Sequence, residues 1–213
     1  MKEIIIGKEG NQPFPIKSEN DGVSRKHAKI TINDNGDWYL EDLNSTNGTS
    51  IRNEETGELI PVNDKIRISS MAFIMLGPDS ARGCGFYAKQ VNGNSGFTEE
   101  HEYLVQKEDY FDELLEQVDR NTKKLNVLKI VLLVIFLLAA YLYDTGSSPM
   151  LILGRMAIAT LPSAIIQVLY NPIEKKKEIK KTRDKFSHCP NPTCSNRLTS
   201  KEVRDMRCSR CKK

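Results

Sequence analysis

From Val127 to Tyr143 the chain carries 17 residues of which only Lys129 is charged, and from Met150 to Tyr170 a further 21 interrupted by Arg155 and Pro162. At a rise of about 1.5 Å per residue, either stretch is long enough, the first only just, to cross a bilayer as a helix. The turn between them, residues 144–149, is short and polar, so the pattern predicts a transmembrane hairpin with an external loop. Lys129 can snorkel to one interface, and Tyr141 and Tyr143 suit the other headgroup region. Arg155 can reach the headgroups or Asp144, and proline is tolerated in membrane helices. The alternative, a helical hairpin buried in a soluble protein, fits this chain less well. The apolar block separates two polar parts of opposite charge, a layout that a single globular domain rarely shows.

Those parts differ in charge. Residues 1–126 hold 15 Lys/Arg against 22 Asp/Glu, a net of −7, whereas residues 171–213 hold 14 against 5, a net of +9. Lys123, Lys124 and Lys129 precede or open the first apolar stretch, Lys175, Lys176, Lys177, Lys180 and Lys181 follow the second, and the loop between has no Lys or Arg until Arg155. The positive-inside rule then puts both termini in the cytoplasm. No signal peptide opens the chain, since Met1-Lys2-Glu3 leads into only three isoleucines before Gly7. The lysine run should also attract anionic membrane lipid, at about 1 kcal/mol per residue.

The N-terminal part has its own periodicity. Ala28, Ile30 and Ile32, then Trp38 and Leu40, alternate with Lys29, Thr31, Tyr39 and Glu41, the period of strands buried on one face. Asn33-Asp34-Asn35-Gly36 between them accepts positive φ, so the two strands should form a hairpin. Polar clusters flank it, Ser24-Arg25-Lys26-His27 before and Asn44-Ser45-Thr46-Asn47-Gly48-Thr49 after, placed as loops at strand ends. Their hydroxyls, cations and free backbone N–H groups are nearly all donors, so the matching ligand is an anion. Hydrogen bonds to a phosphate dianion are worth roughly 1.5–3 kcal/mol each, enough for a few loop residues to tell a phosphorylated side chain from its parent.

Gly7-Lys8, Ser24-x-x-His27, Asn44 to Thr49 and Asn53, in this order, resemble the forkhead-associated (FHA) domain, over about residues 1–91. The resemblance implies an all-β sandwich that reads phosphothreonine in partner proteins, and hence a partner phosphorylated by a Ser/Thr kinase. It further implies that Lys8, Ser24, Arg25 and Thr46 face the phosphate and that Asn47 holds the peptide main chain. His27, Gly48 and Asn53 would brace the loops. The family usually has Gly-Arg where this chain has Gly7-Lys8, which keeps the charge and loses the planar fork of guanidinium.

Further strands are expected at Ile4 to Ile6, Ile66 to Ile68 and Ala72 to Leu76, with residues 54–63 a turn-rich connection and a last strand near Phe86 to Val91 beside the N-terminal one. Cys84 reads as a buried, inert thiol. Residues 92–97 form a linker, and residues 98–126 an amphipathic stalk helix capped by Thr98, with Leu104, Phe111, Val118 and Leu125 recurring every seven residues. Homodimerisation through this helix is the alternative to a simple stalk. Beyond the apolar block, residues 171–187 read as a basic linker.

The tail, residues 188–213, holds Cys189-x4-Cys194 and Cys208-x2-Cys211. Two cysteine knuckles in a reducing compartment suit a tetrahedral structural Zn²⁺ better than disulfides, and the segment resembles a small zinc ribbon. So small a segment has almost no core, and metal binding would supply most of its folding free energy. The arginines of the tail leave nucleic-acid binding as a weaker reading.

The sequence as a whole reads as a multi-domain, two-pass membrane adaptor without an active site: FHA sandwich, long helix, transmembrane hairpin, zinc ribbon. A phosphate-independent structural subunit of a membrane assembly is the competing reading.

Overall fold

The computed structural model describes residues 1–80, 82–93, 96–142, 170–194 and 196–212, residues 140 and 141 by backbone alone. Among them are eight strands: β1 (Lys2–Ile6), β2 (Ala28–Ile32), β3 (Trp38–Asp42), β4 (Thr49–Arg52), β5 (Leu59–Pro61), β6 (Ile66–Ile68), β7 (Phe73–Leu76) and β8 (Cys84–Tyr87). They form two antiparallel sheets of four, ordered β1-β2-β3-β6 and β5-β4-β7-β8. A 3-10 turn (Ala88–Asn92) and helices α1 (Thr98–Leu142), α2 (Pro172–Phe186) and α3 (Ser200–Arg204) complete the described elements.

The expected alternation sets the register of the first sheet. Ile4 lies opposite Ile30 and Ile30 opposite Leu40, all three buried, with Ile6 opposite Ala28 extending the row. The β2–β3 hairpin closes through Asn33 to Asp37, where Gly36 takes a φ of 85°. Ile74, Leu76 and Phe86 of the second sheet pack against this row to form the sandwich core.

Two strand expectations change. β8 pairs with β7, Phe73 opposite Tyr87 and Leu76 opposite Cys84, and stops before the 3-10 turn, so it does not lie beside β1. The cause is the tight Gly77 to Gly83 connection, which folds consecutive strands into a hairpin. The connection 54–63 contains β5, which pairs only with β4 and so places Pro61 at a sheet edge, where its missing N–H breaks no ladder.

Every residue of β7 is buried. Ile74 and Leu76 face the sandwich core, while Phe73 and Met75 join Tyr87, Leu59 and Tyr103 in a cluster on the other side. The chain supplies the cover from its two later parts. Residues Met1–Asp109 and Thr182–Lys213 make one compact unit. Within it Leu104 of α1 packs with Cys189, Cys194, Leu198, Val203 and Cys208. The buried Gln90 amide donates to Pro190 O at 2.6 Å, and the Arg52 guanidinium lies 3.7 Å from the Phe73 ring centre with His188 beside it.

Residues Tyr110–Lys181 form the second unit. In it the Tyr170 hydroxyl donates to Val118 O at 3.2 Å, and Lys176 pairs with Asp119 at 2.6 Å. Helix α1 continues without a break through the first apolar stretch, where Val127, Leu128, Ile130, Val131 and Ile135 are all exposed. Among the described residues no helix is long and apolar enough to cross a membrane. The expected span over 127–143 is described only as far as Leu142, as the last part of α1, and the described residues do not support it as a membrane-crossing helix. The expected loop at 144–149 and second span at 150–170 lie, but for Tyr170, outside the described residues. Residues 171–187, read from sequence only as a basic linker, contain α2.

Candidate functional site

The loop after β1 and the loops on either side of the β2–β3 hairpin meet in an open cleft of about 730 Å³. Lys8, Ser24, Arg25, Lys26, Thr46 and Asn47 line it, with Asp21 and Glu9 at the rim. Backbone bonds fix the first wall: Lys8 N–H donates to Ser24 O at 3.1 Å and Glu9 N–H to Arg25 O at 2.9 Å. Gly7 permits this approach, since a Cβ there would sit 2.1 Å from Arg25 O.

Across the cleft, Ser24 Oγ lies 3.5 Å from Thr46 Oγ1 and accepts the Thr46 N–H at 3.2 Å. The two hydroxyls therefore converge on one point. The Asn47 side chain donates to Gly22 O at 2.9 Å, tying the second loop to the first. Arg25, Lys26 and Lys8 are exposed at the same opening. A group with several acceptor oxygens and a double negative charge matches this set of hydroxyls and cations.

His27 holds the loops from beneath. It is fully buried; Ser24 N–H donates to its Nδ1 at 2.9 Å, and its Nε2 lies 2.9 Å from Gly48 O. With Nδ1 accepting, the ring is neutral and Nε2 carries the proton, in keeping with the burial that lowers its pKa below 6.5. Asp42 does the same for the second loop. Its carboxylate accepts from Ser45 N–H, the Ser45 hydroxyl and the Thr49 hydroxyl at 2.9, 2.7 and 2.6 Å. Burial alone would raise its pKa, but those donors hold it below the usual value. Gly48 turns the loop back with a φ of 74°.

The His27 arrangement makes the loops acid-sensitive. The folded protein keeps the ring neutral while the unfolded chain takes up a proton near pH 6.5, so this contribution is complete above that pH and is lost as the pH falls below it. Urea midpoints measured from pH 8 to pH 5 should therefore fall on the acid side, and less steeply for His27→Gln.

The structure adds one pair that the motifs did not show. Asp21 at the rim bonds Arg82 from the β7–β8 turn at 2.6 Å, and Arg82, helped by Lys8, lowers the Asp21 pKa. One of the two acidic residues lining the cleft is thus paired with a cation outside the motif region. No local sequence signal links positions 21 and 82.

The second site is in the tail. The Sγ atoms of Cys189, Cys194, Cys208 and Cys211 all lie within 4.8 Å of one another, with Cys189 to Cys211 at 3.6 Å and Cys194 to Cys208 at 3.8 Å. Tetrahedral ligation at a metal–sulfur length of about 2.3 Å puts the sulfurs about 3.8 Å apart, so the four residues fit a metal ion. Burial works to raise the Cys208 thiol, but the backbone N–H groups of Cys211 and Arg210, the Asn196 amide and Cys194 bring it down to about 7. Burial pushes Cys189 and Cys194 up, and such thiols give up protons most readily to a cation. Cys84 stands apart, buried under the β7–β8 hairpin with its thiol pushed up to about 11.

Comparison of the whole chain with curated proteins finds no match. Residues 4–71, which contain the cleft loops and the hairpin, match the family model of the FHA domain. Residues 4–71, which hold β1 to β6 of the N-terminal sandwich, are thus an FHA domain.

Proposed function

We propose that the protein is a phosphothreonine-peptide-binding adaptor held at the cytoplasmic face of a membrane. The observation that carries this reading is the convergence of Ser24 and Thr46 hydroxyls within an open cleft bordered by Lys8, Arg25 and Lys26. A phosphothreonine placed there gives its oxygens two hydroxyl donors and at least one cation, while Asn47 steadies the adjoining main chain. An unmodified threonine brings no charge to the cations and gains little. The protein works by binding, drawing a kinase-modified partner to the bilayer.

Anchoring is supported by the apolar side chains that α1 exposes from Val127 onward, and by the second apolar stretch of sequence from Met150 to Tyr170. Residues 1–109 and 182–213 share one folded unit, so both flanks of that block belong on one side of the bilayer, as an even number of crossings requires. The lysines of α2 would then meet anionic headgroups. Zn²⁺ is the metal that the four thiols suit best, holding the tail in its fold.

Protein reconstituted in vesicles should retain a peptide pool with a fixed phosphothreonine and release the matched threonine pool, and should stay with the vesicles after an alkaline wash. Equal retention of both pools would instead favour a phosphate-independent subunit of a membrane assembly. Loss of the protein from the vesicles would remove the anchor.

A further inference from the structure

The turn between β7 and β8 touches both candidate sites. Towards the cleft, Gly77 N–H donates to Gly48 O at 2.9 Å, Gly22 N–H donates to Arg82 O at 3.0 Å, and Arg82 bonds Asp21. The packing has no slack, since a Cβ on Gly22 would lie 2.7 Å from Pro78 Cδ and one on Gly77 would lie 2.7 Å from Gly22 O. Towards the tail, Asp79, Ser80 and Gly83 share a cleft of about 300 Å³ with Cys189, Pro192 and Cys194. Cys84, the first residue after the turn, has its Sγ 3.9 Å from Pro192 O.

One side of this turn therefore rests on a segment that is itself conditional. Among the described residues, Leu198 and Val203 are the large aliphatic side chains of its own that the tail buries with its cysteines, so its folding depends on metal. Without metal the tail loosens, and Phe73, Met75 and the β7–β8 turn lose their cover. The turn holds Gly22, Asp21 and Gly48 in place, and these position Ser24, Asn47 and Thr46.

We propose that metal occupancy of the four-cysteine site sets the affinity of the cleft for phosphothreonine peptides, with the β7–β8 turn as the coupling element. This rests on the phosphothreonine reading above. By linkage, bound peptide tightens the metal site by the same factor.

The full chain in detergent, zinc-loaded or treated with a chelator, is titrated into a fluorescent peptide pool with a fixed phosphothreonine. Affinity should fall about tenfold on chelation and return when zinc is restored. Arg82→Ala should keep its zinc but bind several-fold more weakly, and chelation should weaken it further by less than about twofold. Equal affinity with and without zinc overturns the proposal. If the Trp38 emission shows that chelation unfolds the sandwich, the zinc affinity decides by linkage: saturating peptide should tighten zinc binding in the parent and do so less in Arg82→Ala, and equal zinc affinity with and without peptide in the parent overturns the coupling. A pool that binds neither form would defeat the phosphothreonine reading instead. Hydrogen exchange at the Gly22 and Gly77 amides then tests the coupling alone, faster exchange after chelation supporting it and unchanged exchange overturning it.

Discussion

Ser24→Ala is expected to raise the Kd for a phosphothreonine peptide by roughly one to two orders of magnitude, because a hydrogen bond to a charged group contributes about 1.5–3 kcal/mol. Thr46→Val should do the same, since it keeps the shape and removes only the hydroxyl. Fluorescence titration measures both. Neither change should move the urea midpoint much: Thr46 is exposed, and water can replace the Ser24 acceptor for the Thr46 N–H. Asp42→Ala offers the contrast. It strips three donors of their acceptor in the loop that carries Thr46, so it should cost both stability and affinity. Variants at position 24 or 46 that bind at parental affinity would place the phosphate elsewhere.

Arg183→Met is expected to destabilise the compact unit by about 3–5 kcal/mol, read from chemical denaturation, as removing one member of a buried ion pair does. Glu108 of α1 is only 3% exposed and accepts Arg183 Nε at 2.9 Å, with a second guanidinium bond alongside. Arg183 of α2 also reaches the Ser200 hydroxyl that opens α3. One guanidinium thus ties α1 to the α2 and α3 helices of the later chain. Without it a buried carboxylate loses its cation in a low-dielectric setting. The double variant Glu108→Met with Arg183→Met should recover most of the loss, because neither charge then needs solvation. A double variant no more stable than Arg183→Met alone would contradict this account.

The parts of this fold that the sequence made legible are those specified locally. Strict alternation from Ala28 to Leu40 with Asn33 to Gly36 between could only be a hairpin, and the hairpin carried both polar clusters to the same end of a sheet. Four cysteines in two knuckles likewise announced a convergent site, because only a folded tail brings such pairs together. What escaped was nonlocal. The pairing of Asp21 with Arg82 has no signature in either neighbourhood. The partner of β8 depended on the Gly77 to Gly83 turn, which the strand patterns on either side do not specify. The docking of the tail on the second sheet did leave a trace, for Phe73-Ile74-Met75-Leu76 is apolar at every position and a strand with one wet face would alternate. That run required a cover on both sides, and sequence could not say that part of the cover lay more than a hundred residues away.

The sheet that carries β7 is closed over in part by residues that leave the ribosome about a hundred positions after it. Synthesis runs from the N-terminus, so the sandwich can fold while Phe73 and Met75 still wait for the tail, and a nascent chain halted before Thr182 leaves that patch with only Leu59 and Tyr103 over it. Stalled or prematurely terminated translation products should for this reason be the sticky species, prone to aggregate or to be held by chaperones.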